Sequence, residues 1–442
     1  MSAVSDAMSY VGEYTRTDGT PIYIAELDGG LVAVVTGNVF ALDPTGPDRF
    51  DLVGVSEPVR FERDAEGQIV AVADSQGTYP RKTDEVPAEI DGLFGSRDLP
   101  AYTYAPPESA EPDLPIGDAS KNGLPRVAIE DVVNDINRDP DYRHVHALLI
   151  QKNGVLVLEE YFAGFDDNQT HNLRSATKSV ISALVGAAVL RGNVTLDDQP
   201  LAAIAEAEGR SISERKATLT LADMLDMRHG LQCDDWDPES PGNEMNIYGE
   251  SDWTAFILSI PDAMGEADVS YCSAMPLMVG RYLEIATGQP LPEFADQALF
   301  SPLGVERGDW RWDFDLAAKE TPHGGQVFLR PRDMVRVGAL YGRGGVTAEG
   351  DRLLPEDWVE TTFDATMPLG DWRRYNDFWW TYEVEREGDS PVAVHMASGI
   401  AGQRIALVPA LDMIVVMTGG SFSEGRSGPT KVIERLIRAA TA

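Results

Sequence analysis

Positive charge is scarce in this sequence of 442 residues. It has 36 Lys and Arg residues against 72 Asp and Glu residues, which gives a net charge of −36 at pH 7. Nucleic-acid binding and adsorption to an anionic membrane both require a basic surface, so we exclude nucleic acids as partners. No apolar run approaches the roughly 18 residues that span a bilayer, so we also expect no membrane span.

Cysteine is equally scarce. Cys233 and Cys272 are the only two cysteines, too few for a disulfide framework and too far apart for a CxxC site. Residues 1–6 lack the basic and apolar regions of a signal peptide. The sequence therefore predicts a cytoplasmic protein if this start is native, and a periplasmic or secreted one if a signal peptide has been removed.

The motifs of common metal and cofactor sites are absent as well. There is no HExxH, no P-loop, no GxGxxG after a strand and no GxSxG elbow. His144 and His146 share one face of a predicted strand, but no third ligand is near them in the sequence, so we interpret them as structural. We expect neither a metal nor a cofactor.

Three segments differ in character. Residues 1–85 contain short alternating strands between turn residues, which indicates a small antiparallel barrel or sandwich. Residues 86–125 hold seven prolines, which oppose helices and central strands, so we predict a linker, either free or wrapped around a neighbouring domain. Residues 126–442 mix strands with helices, and we predict an α+β domain whose sheet joins both ends of the segment.

The predicted elements are as follows. In the first segment we expect strands at 11–15, 22–27, 31–35, 39–42, 50–55, 59–63 and 68–73. In the third we expect helices at 128–136, 175–191, 219–227, 274–287 and 429–440, and strands at 145–150, 155–161, 392–395, 404–407 and 413–418.

Ser175 and Lys178 are spaced to lie on one face at the start of a helix that is apolar nearly all round. Burial lowers the pKa of a lysine, which can then serve as the base that a serine nucleophile needs. The helix N-terminus also favours developing negative charge. The S-x-x-K pattern alone is weak, because Ser213 and Lys216 repeat it in a polar stretch that we assign to the solvated surface. A catalytic and a structural interpretation of Ser175 and Lys178 both stay open at this point.

Two later segments add to this pair. Tyr271 and Ser273 directly precede another apolar helix, and a tyrosine close to a lysine can transfer protons. Residues 395–403 form a strand end with glycines, where a ligand can approach the backbone and a backbone N–H can bind an oxyanion. Neither segment is specific when taken alone.

Together and in this order, Ser175-x-x-Lys178, Tyr271-x-Ser273 and the strand at Gly399 resemble the three motifs of the penicillin-recognising serine hydrolases. The resemblance covers about residues 125–442. It implies a β-lactamase/D,D-peptidase-like fold, with an antiparallel sheet flanked by helices and an all-helical subdomain, preceded here by the small β-barrel. Further matching segments are 220–231, 302–304 and 329–334.

Within this superfamily the sequence is most similar to the class C β-lactamase-related esterases and amidases of the 6-aminohexanoate-dimer hydrolase type. The resemblance implies a serine hydrolase that cleaves a small-molecule carboxylic ester or amide through an acyl-enzyme on Ser175. Lys178 would accept the serine proton, Tyr271 would pass it to the leaving group and Ser273 would hold Lys178. The N–H groups of Ser175 and Ile400 would form the oxyanion hole.

The resemblance also implies a substrate-binding surface. It would include Tyr248 and Ser398 beside Gly399. His395 either contacts the substrate or faces the other way on its strand, and Trp379 and Trp380 either line the substrate cleft or pack in the core. Ala397-Ser-Gly stands where the superfamily usually has Lys-Thr-Gly or His-x-Gly, so the cation that grips a β-lactam or peptide carboxylate is missing. An esterase or amidase is therefore favoured; the alternatives are a D-amino-acid peptidase or β-lactamase, and a catalytically inactive sensor of the penicillin-binding type.

The N-terminal barrel resembles the lipocalin-like domain that some relatives carry. Two interpretations stay open, a packing or dimer module without a ligand and a ligand-binding module, and a homo-oligomer would suit the first. The implied fold also brings Cys233 and Cys272 near the site, either as a disulfide or as two buried thiols.

Overall fold

The structure is a computed structural model with side chains. It describes residues 7–16, 19–27, 29–35, 38–52, 57–74, 77–87, 99–142, 144–248, 250–263, 269–313, 325–365, 367–369, 373–420 and 427–441. Within those ranges, no helix is long and apolar enough to cross a membrane.

The first unit is a closed barrel of eight antiparallel strands, in which each strand pairs with the next and β8 pairs with β1. Alternating residues such as Ile22 and Ile24 point inward, as the period-2 pattern predicts. The predicted barrel is therefore confirmed, with one strand, β8, more than expected. β8 contains Pro80, and proline is uncommon inside a sheet because it has no N–H to donate. The strands are β1 Gly12–Thr15, β2 Pro21–Leu27, β3 Gly30–Val35, β4 Asn38–Gly46, β5 Arg49–Leu52, β6 Glu57–Arg63, β7 Ile69–Ala73 and β8 Thr78–Thr83, after helix α1 Ala7–Tyr10.

Residues 99–125 are part of the second unit rather than a free linker. Tyr104, Leu114 and Leu124 are buried in its core, and the Tyr104 hydroxyl donates to the Val157 carbonyl at 2.8 Å. Their packing extends the second unit to well before residue 126. The prolines oppose regular structure but do not prevent burial, so a linker segment can pack along the domain that follows it.

Two arginines tie this N-terminal segment to the domain. Arg336 Nε lies 2.7 Å from Asp113 Oδ2, and Arg332 Nη2 lies 2.6 Å from Glu159 Oε2. Glu111 contacts both guanidinium groups. Both arginines are buried, so this network holds charges that would be costly without their partners.

The sheet of the second unit has eight antiparallel strands in the order β10-β9-β19-β18-β17-β16-β15-β14. Because β9 pairs with β19, the sheet joins the two ends of the domain as predicted. A small sheet, β11-β13-β12, lies apart from it. The strands are β9 Val145–Lys152, β10 Val155–Tyr161, β11 His171–Asn172, β12 Arg311–Trp312, β13 Val327–Leu329, β14 Met367–Pro368, β15 Arg374–Asn376, β16 Trp379–Val384, β17 Val392–Gly399, β18 Gln403–Val408 and β19 Met413–Gly419.

Helices cover the sheet and form the rest of the domain. Helix α11 packs on Ile405 and Ile414, whereas α13 lies near Tyr382 on the opposite face. Helix α3 contacts α9 and β17 and is buried on nearly every side, which explains its apolar sequence. The helices are α2 Arg126–Arg138, α3 Thr177–Leu190, α4 Pro200–Glu208, α5 Glu214–Thr218, α6 Leu221–Leu225, α7 Glu244–Tyr248, α8 Trp253–Ser259, α9 Ala274–Thr287, α10 Leu291–Ala295, α11 Pro331–Gly342, α12 Trp358–Phe363 and α13 Ser427–Ala439.

Candidate active site

Ser175 lies in a tight turn, Arg174–Ala176, that leads directly into α3. Arg174 has φ 51°, a left-handed conformation that non-glycine residues rarely adopt, and its N–H donates to Asn172 Oδ1 at 2.9 Å. The turn presses against the end of β17: a Cβ at Gly399 would lie 2.1 Å from the Leu173 carbonyl oxygen. The close approach therefore requires glycine at position 399.

The structure brings Ser175, Lys178 and Tyr271 together. Lys178 Nζ donates to Ser175 Oγ at 3.0 Å, and the same ammonium lies 5.0 Å from the centre of the Tyr271 ring. Lys178 is only 1% exposed, so this charge is held almost entirely by protein groups. A serine, a lysine and a tyrosine in contact at the start of a helix can activate the serine as a nucleophile and transfer its proton.

The electrostatics of Lys178 differ from the sequence-based expectation. Burial lowers the pKa of its ammonium, as expected for a desolvated lysine. Tyr271, Glu244 and Asp235 face it and raise that pKa, and the net direction is upward. The sequence could not show the upward shift of this pKa, because both carboxylates that cause it come from a loop and a helix more than 50 residues away.

Asp235 is a site residue that the sequence analysis missed. Its carboxylate accepts the N–H of Ser273 at 2.8 Å and the N–H of Glu244 at 3.0 Å, and its own N–H donates to the Tyr271 carbonyl at 2.8 Å. Burial and the charge of Glu244 raise the pKa of this carboxyl to about 7. Asp235 thus connects the Tyr271 segment with α7.

A disulfide between Cys233 and Cys272 holds these segments together, with a Cα–Cα distance of 5.5 Å. The disulfide alternative is therefore the one that the structure adopts. Cys272 directly follows Tyr271, and Cys233 lies two residues before Asp235. This spacing was the signal in the sequence that could have identified Asp235.

The pH dependence of stability offers a test of Asp235. An unfolded aspartate titrates near pH 4, so between about pH 4 and 7 the folded protein retains a proton that the unfolded chain has released. The free energy of unfolding then falls as pH rises through this window. Asp235→Asn is expected to remove that contribution, whereas Asp234→Asn should keep it. Urea unfolding at pH 5 and pH 8 measures the difference, and an unchanged slope in Asp235→Asn would assign the titration to another group.

Tyr248 joins the cluster through Glu244. Its hydroxyl donates to Glu244 Oε1 at 2.9 Å, and its ring packs edge-on against Trp253 at 5.4 Å. Burial and Glu244 raise the pKa of Tyr248 well above 10, so it remains a neutral donor. Arg174 acts electrostatically on both groups.

Ser273 does not make the bond that the resemblance implied. Its Oγ is buried and makes no hydrogen bond to Lys178, and its side chain acts instead on the Asp235 carboxylate, where it lowers the pKa. Its backbone N–H donates to Asp235 instead. Ser398 is half-buried near the end of β17, and Ile400 follows Gly399 in the turn that leads towards β18.

Two predicted substrate contacts are corrected by the structure. Trp379 is 0% exposed and packs on Tyr341 and Phe363. The His395 ring stacks on Phe363 at 4.0 Å and its Nδ1 lies 2.9 Å from Thr381 Oγ1. Burial lowers the pKa of His395 to about 4, so it carries no charge at neutral pH. Both side chains point into the core, and His395 cannot replace the missing cation.

The neighbouring Trp380 lies beside the site instead. The centre of its ring lies 5.6 Å from that of Tyr271, on which it stacks. The Trp236 ring also stacks on Tyr271, with a centroid distance of 5.5 Å. Trp236 is 43% exposed. An aromatic wall therefore borders Tyr271. β16 is buried on both faces, so its sequence does not alternate between apolar and polar residues and could not show which of Trp379 and Trp380 faces the site.

The second S-x-x-K segment was also misassigned. Lys216 is 4% exposed; its Nζ donates to the Ile260 carbonyl at 2.6 Å and lies 3.2 Å from Asp262 Oδ1. Ser213 caps α5 and donates to the same carboxylate at 2.9 Å. The segment is a buried structural pair rather than a solvated surface.

The histidine pair lies in the core. His146 stacks on Phe165 at 3.7 Å, and its Nδ1 lies 3.1 Å from His171 Nε2. Within the part of the chain that the structure describes, no group of His, Cys, Asp and Glu side chains is placed to hold a metal ion.

Comparison with known proteins agrees with this geometry. The family model described as Beta-lactamase matches residues 141–437. The 6-aminohexanoate-dimer hydrolase of Paenarthrobacter ureafaciens is 26% identical over 298 residues, which cover 61% of this chain and 71% of that protein.

Solved structures share the fold. A penicillin-binding protein from Bacillus halodurans has a TM-score of 0.54 at 15% identity, covering 70% of this chain and 99% of its own. A class C beta-lactamase has a TM-score of 0.53 at 14% identity, covering 71% and 97%. The Ser175 cluster lies within the matched segment. The chain therefore belongs to the beta-lactamase family of hydrolases.

Proposed function

We propose that this protein is a serine hydrolase that cleaves a carboxylic ester or a small amide through an acyl-enzyme on Ser175. The observation that carries the proposal is the contact of Lys178 Nζ with Ser175 Oγ at 3.0 Å, with Tyr271 against the same ammonium. A serine hydroxyl becomes a nucleophile only when a positioned group takes its proton.

The reaction follows from this arrangement. Ser175 Oγ attacks the carbonyl carbon, and its proton passes to the pair formed by Lys178 and Tyr271. Tyr271 returns that proton to the leaving oxygen or nitrogen as the bond to the carbonyl carbon breaks. Water then attacks the acyl-enzyme, gives its proton to the same pair, and releases the acid while Ser175 regains its hydrogen.

The oxyanion would lie between the N–H groups of Ser175 and Ile400. The approach of Gly399 to Leu173 supports this assignment, because it brings the end of β17 to the turn that carries Ser175. Two backbone donors fixed in this way stabilise the charge of the tetrahedral intermediate without reorganising.

The substrate class rests on what the third motif lacks. Ala397 stands where a cation would contact a β-lactam or peptide carboxylate, and His395 is neutral and turned into the core. The similar protein from Paenarthrobacter ureafaciens bears the name 6-aminohexanoate-dimer hydrolase. An ester or amide without that carboxylate is therefore favoured, and rapid turnover of a chromogenic cephalosporin would favour the β-lactamase alternative.

Intact mass after treatment with a fluorophosphonate tests the nucleophile. We expect the phosphonyl adduct, formed on Ser175 Oγ with loss of fluoride, on the unmodified protein and on Ser213→Ala, and none on Ser175→Ala. Ser213 is a matched control because it belongs to the other S-x-x-K segment.

An adduct on Ser175→Ala would mean that another serine is the nucleophile. No adduct on any of the three folded proteins would support the catalytically inactive sensor.

A further inference from the structure

The N-terminal barrel holds a cluster of large aromatic side chains at one end of its interior. Four aromatic rings, Tyr10, Tyr14, Phe50 and Phe61, pack there edge to face, with centroid distances from 4.8 to 5.9 Å. Tyr14 is completely buried, and its hydroxyl donates to the Tyr10 carbonyl at 2.7 Å. This end of the barrel is closed.

The other part of the interior contains a cavity of about 200 Å³. Its walls are inward-facing aliphatic side chains from several strands, with Ala33 leaving space where a larger residue would fill it. The aliphatic lining includes Ile22, Ile24, Ala33 and Val72, and the Phe40 ring borders the same space. Eight strands make a barrel whose interior is either filled by side chains or wide enough for one small ligand.

Only a few polar groups line this cavity, and their charges oppose one another. Tyr79 donates its hydroxyl to Asp74 Oδ1 at 2.7 Å, and the Arg16 guanidinium lies 5.5 Å from the centre of the Tyr79 ring. One cation and one anion therefore border the same space. A ligand with a net charge would face one of these two groups with the same sign, whereas a hydroxyl group could exchange hydrogen bonds with Tyr79 or Asp74.

We propose that the barrel binds one small, uncharged and largely apolar molecule in this cavity, at a site separate from Ser175. Protein interiors are normally close-packed, and unfilled apolar space weakens a fold. An apolar cavity of about 150 Å³ is known to hold a benzene molecule. By that scale, this cavity accepts roughly eight to ten non-hydrogen atoms.

The test uses the full chain with 1-octanol as the neutral probe and octanoate as its anionic counterpart. Titration calorimetry should show one octanol per protein and at least tenfold weaker binding of octanoate. Ala33→Phe and Val72→Phe, which both fill the cavity, should weaken octanol binding at least tenfold. Val70→Phe, on the exposed face of the same strand as Val72, should leave it unchanged.

A measurement on the unmodified protein keeps the test independent of whether these variants fold. In methyl NMR spectra, octanol should shift the resonances of Ile22 and Ile24 and leave that of Ile405, in the second domain, in place. The proposal is overturned if octanol does not bind at millimolar concentration, if binding survives both cavity-filling substitutions, if octanoate binds as tightly, or if the Ile22 and Ile24 methyl groups do not respond.

Discussion

Lys178→Met is expected to lower kcat/KM for the ester or amide substrate by about 10²- to 10⁴-fold, the usual contribution of a positioned proton-transfer group. Lys178 Nζ contacts Ser175 Oγ directly, and methionine fills similar space without a proton to exchange. Steady-state kinetics on the most active substrate of an ester and amide panel would measure the loss, with circular dichroism to confirm that the variant folds.

Lys216→Met is the matched control for this substitution. Lys216 is also a buried lysine of an S-x-x-K segment, but its Nζ contacts the Ile260 carbonyl and Asp262 rather than Ser175. We expect it to lower the melting temperature, because a buried carbonyl loses its donor and a carboxylate its partner, while activity per folded molecule is kept. If the two variants lost activity equally, the loss would come from the fold and not from proton transfer.

Gly399→Ala is expected to reduce kcat/KM by about 10²-fold or more and to lower the melting temperature. The added Cβ would lie 2.1 Å from the Leu173 carbonyl oxygen and 3.2 Å from the Arg174 Cβ, so either the end of β17 or the Ser175 turn must move. Displacement of reacting groups by about 1 Å is enough for a loss of this size.

Gly342→Ala provides the comparison. A Cβ there would have its nearest neighbour, Ile414 Cδ1, at 3.6 Å, an ordinary contact, so we expect activity close to that of the unmodified protein. Full activity in Gly399→Ala would instead show that the end of β17 contributes nothing to the oxyanion site.

Local sequence patterns predicted the elements that carry the site. The helix predicted at 274–287 is α9 in the structure, and Gly288 ends it with φ 71°, the left-handed conformation that favours glycine. The helix after Ser175 was recognised because its apolar residues surround it, which only a buried helix tolerates. The spacing of residues was therefore sufficient to predict an element wherever that element depends on residues close together in the chain.

Interactions between distant segments could not be predicted in this way. The pKa of Lys178 is raised by groups from α7 and the loop at Asp235, and no local pattern reports their approach. Lys216 was placed at the surface because its neighbours in the chain are polar, but its partners Ile260 and Asp262 lie more than 40 residues away. Trp379 and Trp380 could not be distinguished from the sequence, because a strand buried on both faces lacks alternation.

The ion pairs between residues 99–125 and α11 limit the positions in the chain at which the barrel and the catalytic unit could have been joined during evolution. A catalytic unit that began at residue 126 would keep Glu159 beside Arg332 and Asp333 beside Arg336, but it would lose Glu111 and Asp113 from the same network. Removing partners from a buried charge network costs up to several kcal/mol, a large part of a domain's whole margin of stability. Recombination that adds or removes the barrel is therefore tolerable only on the N-terminal side of this segment, which must be inherited with the catalytic unit.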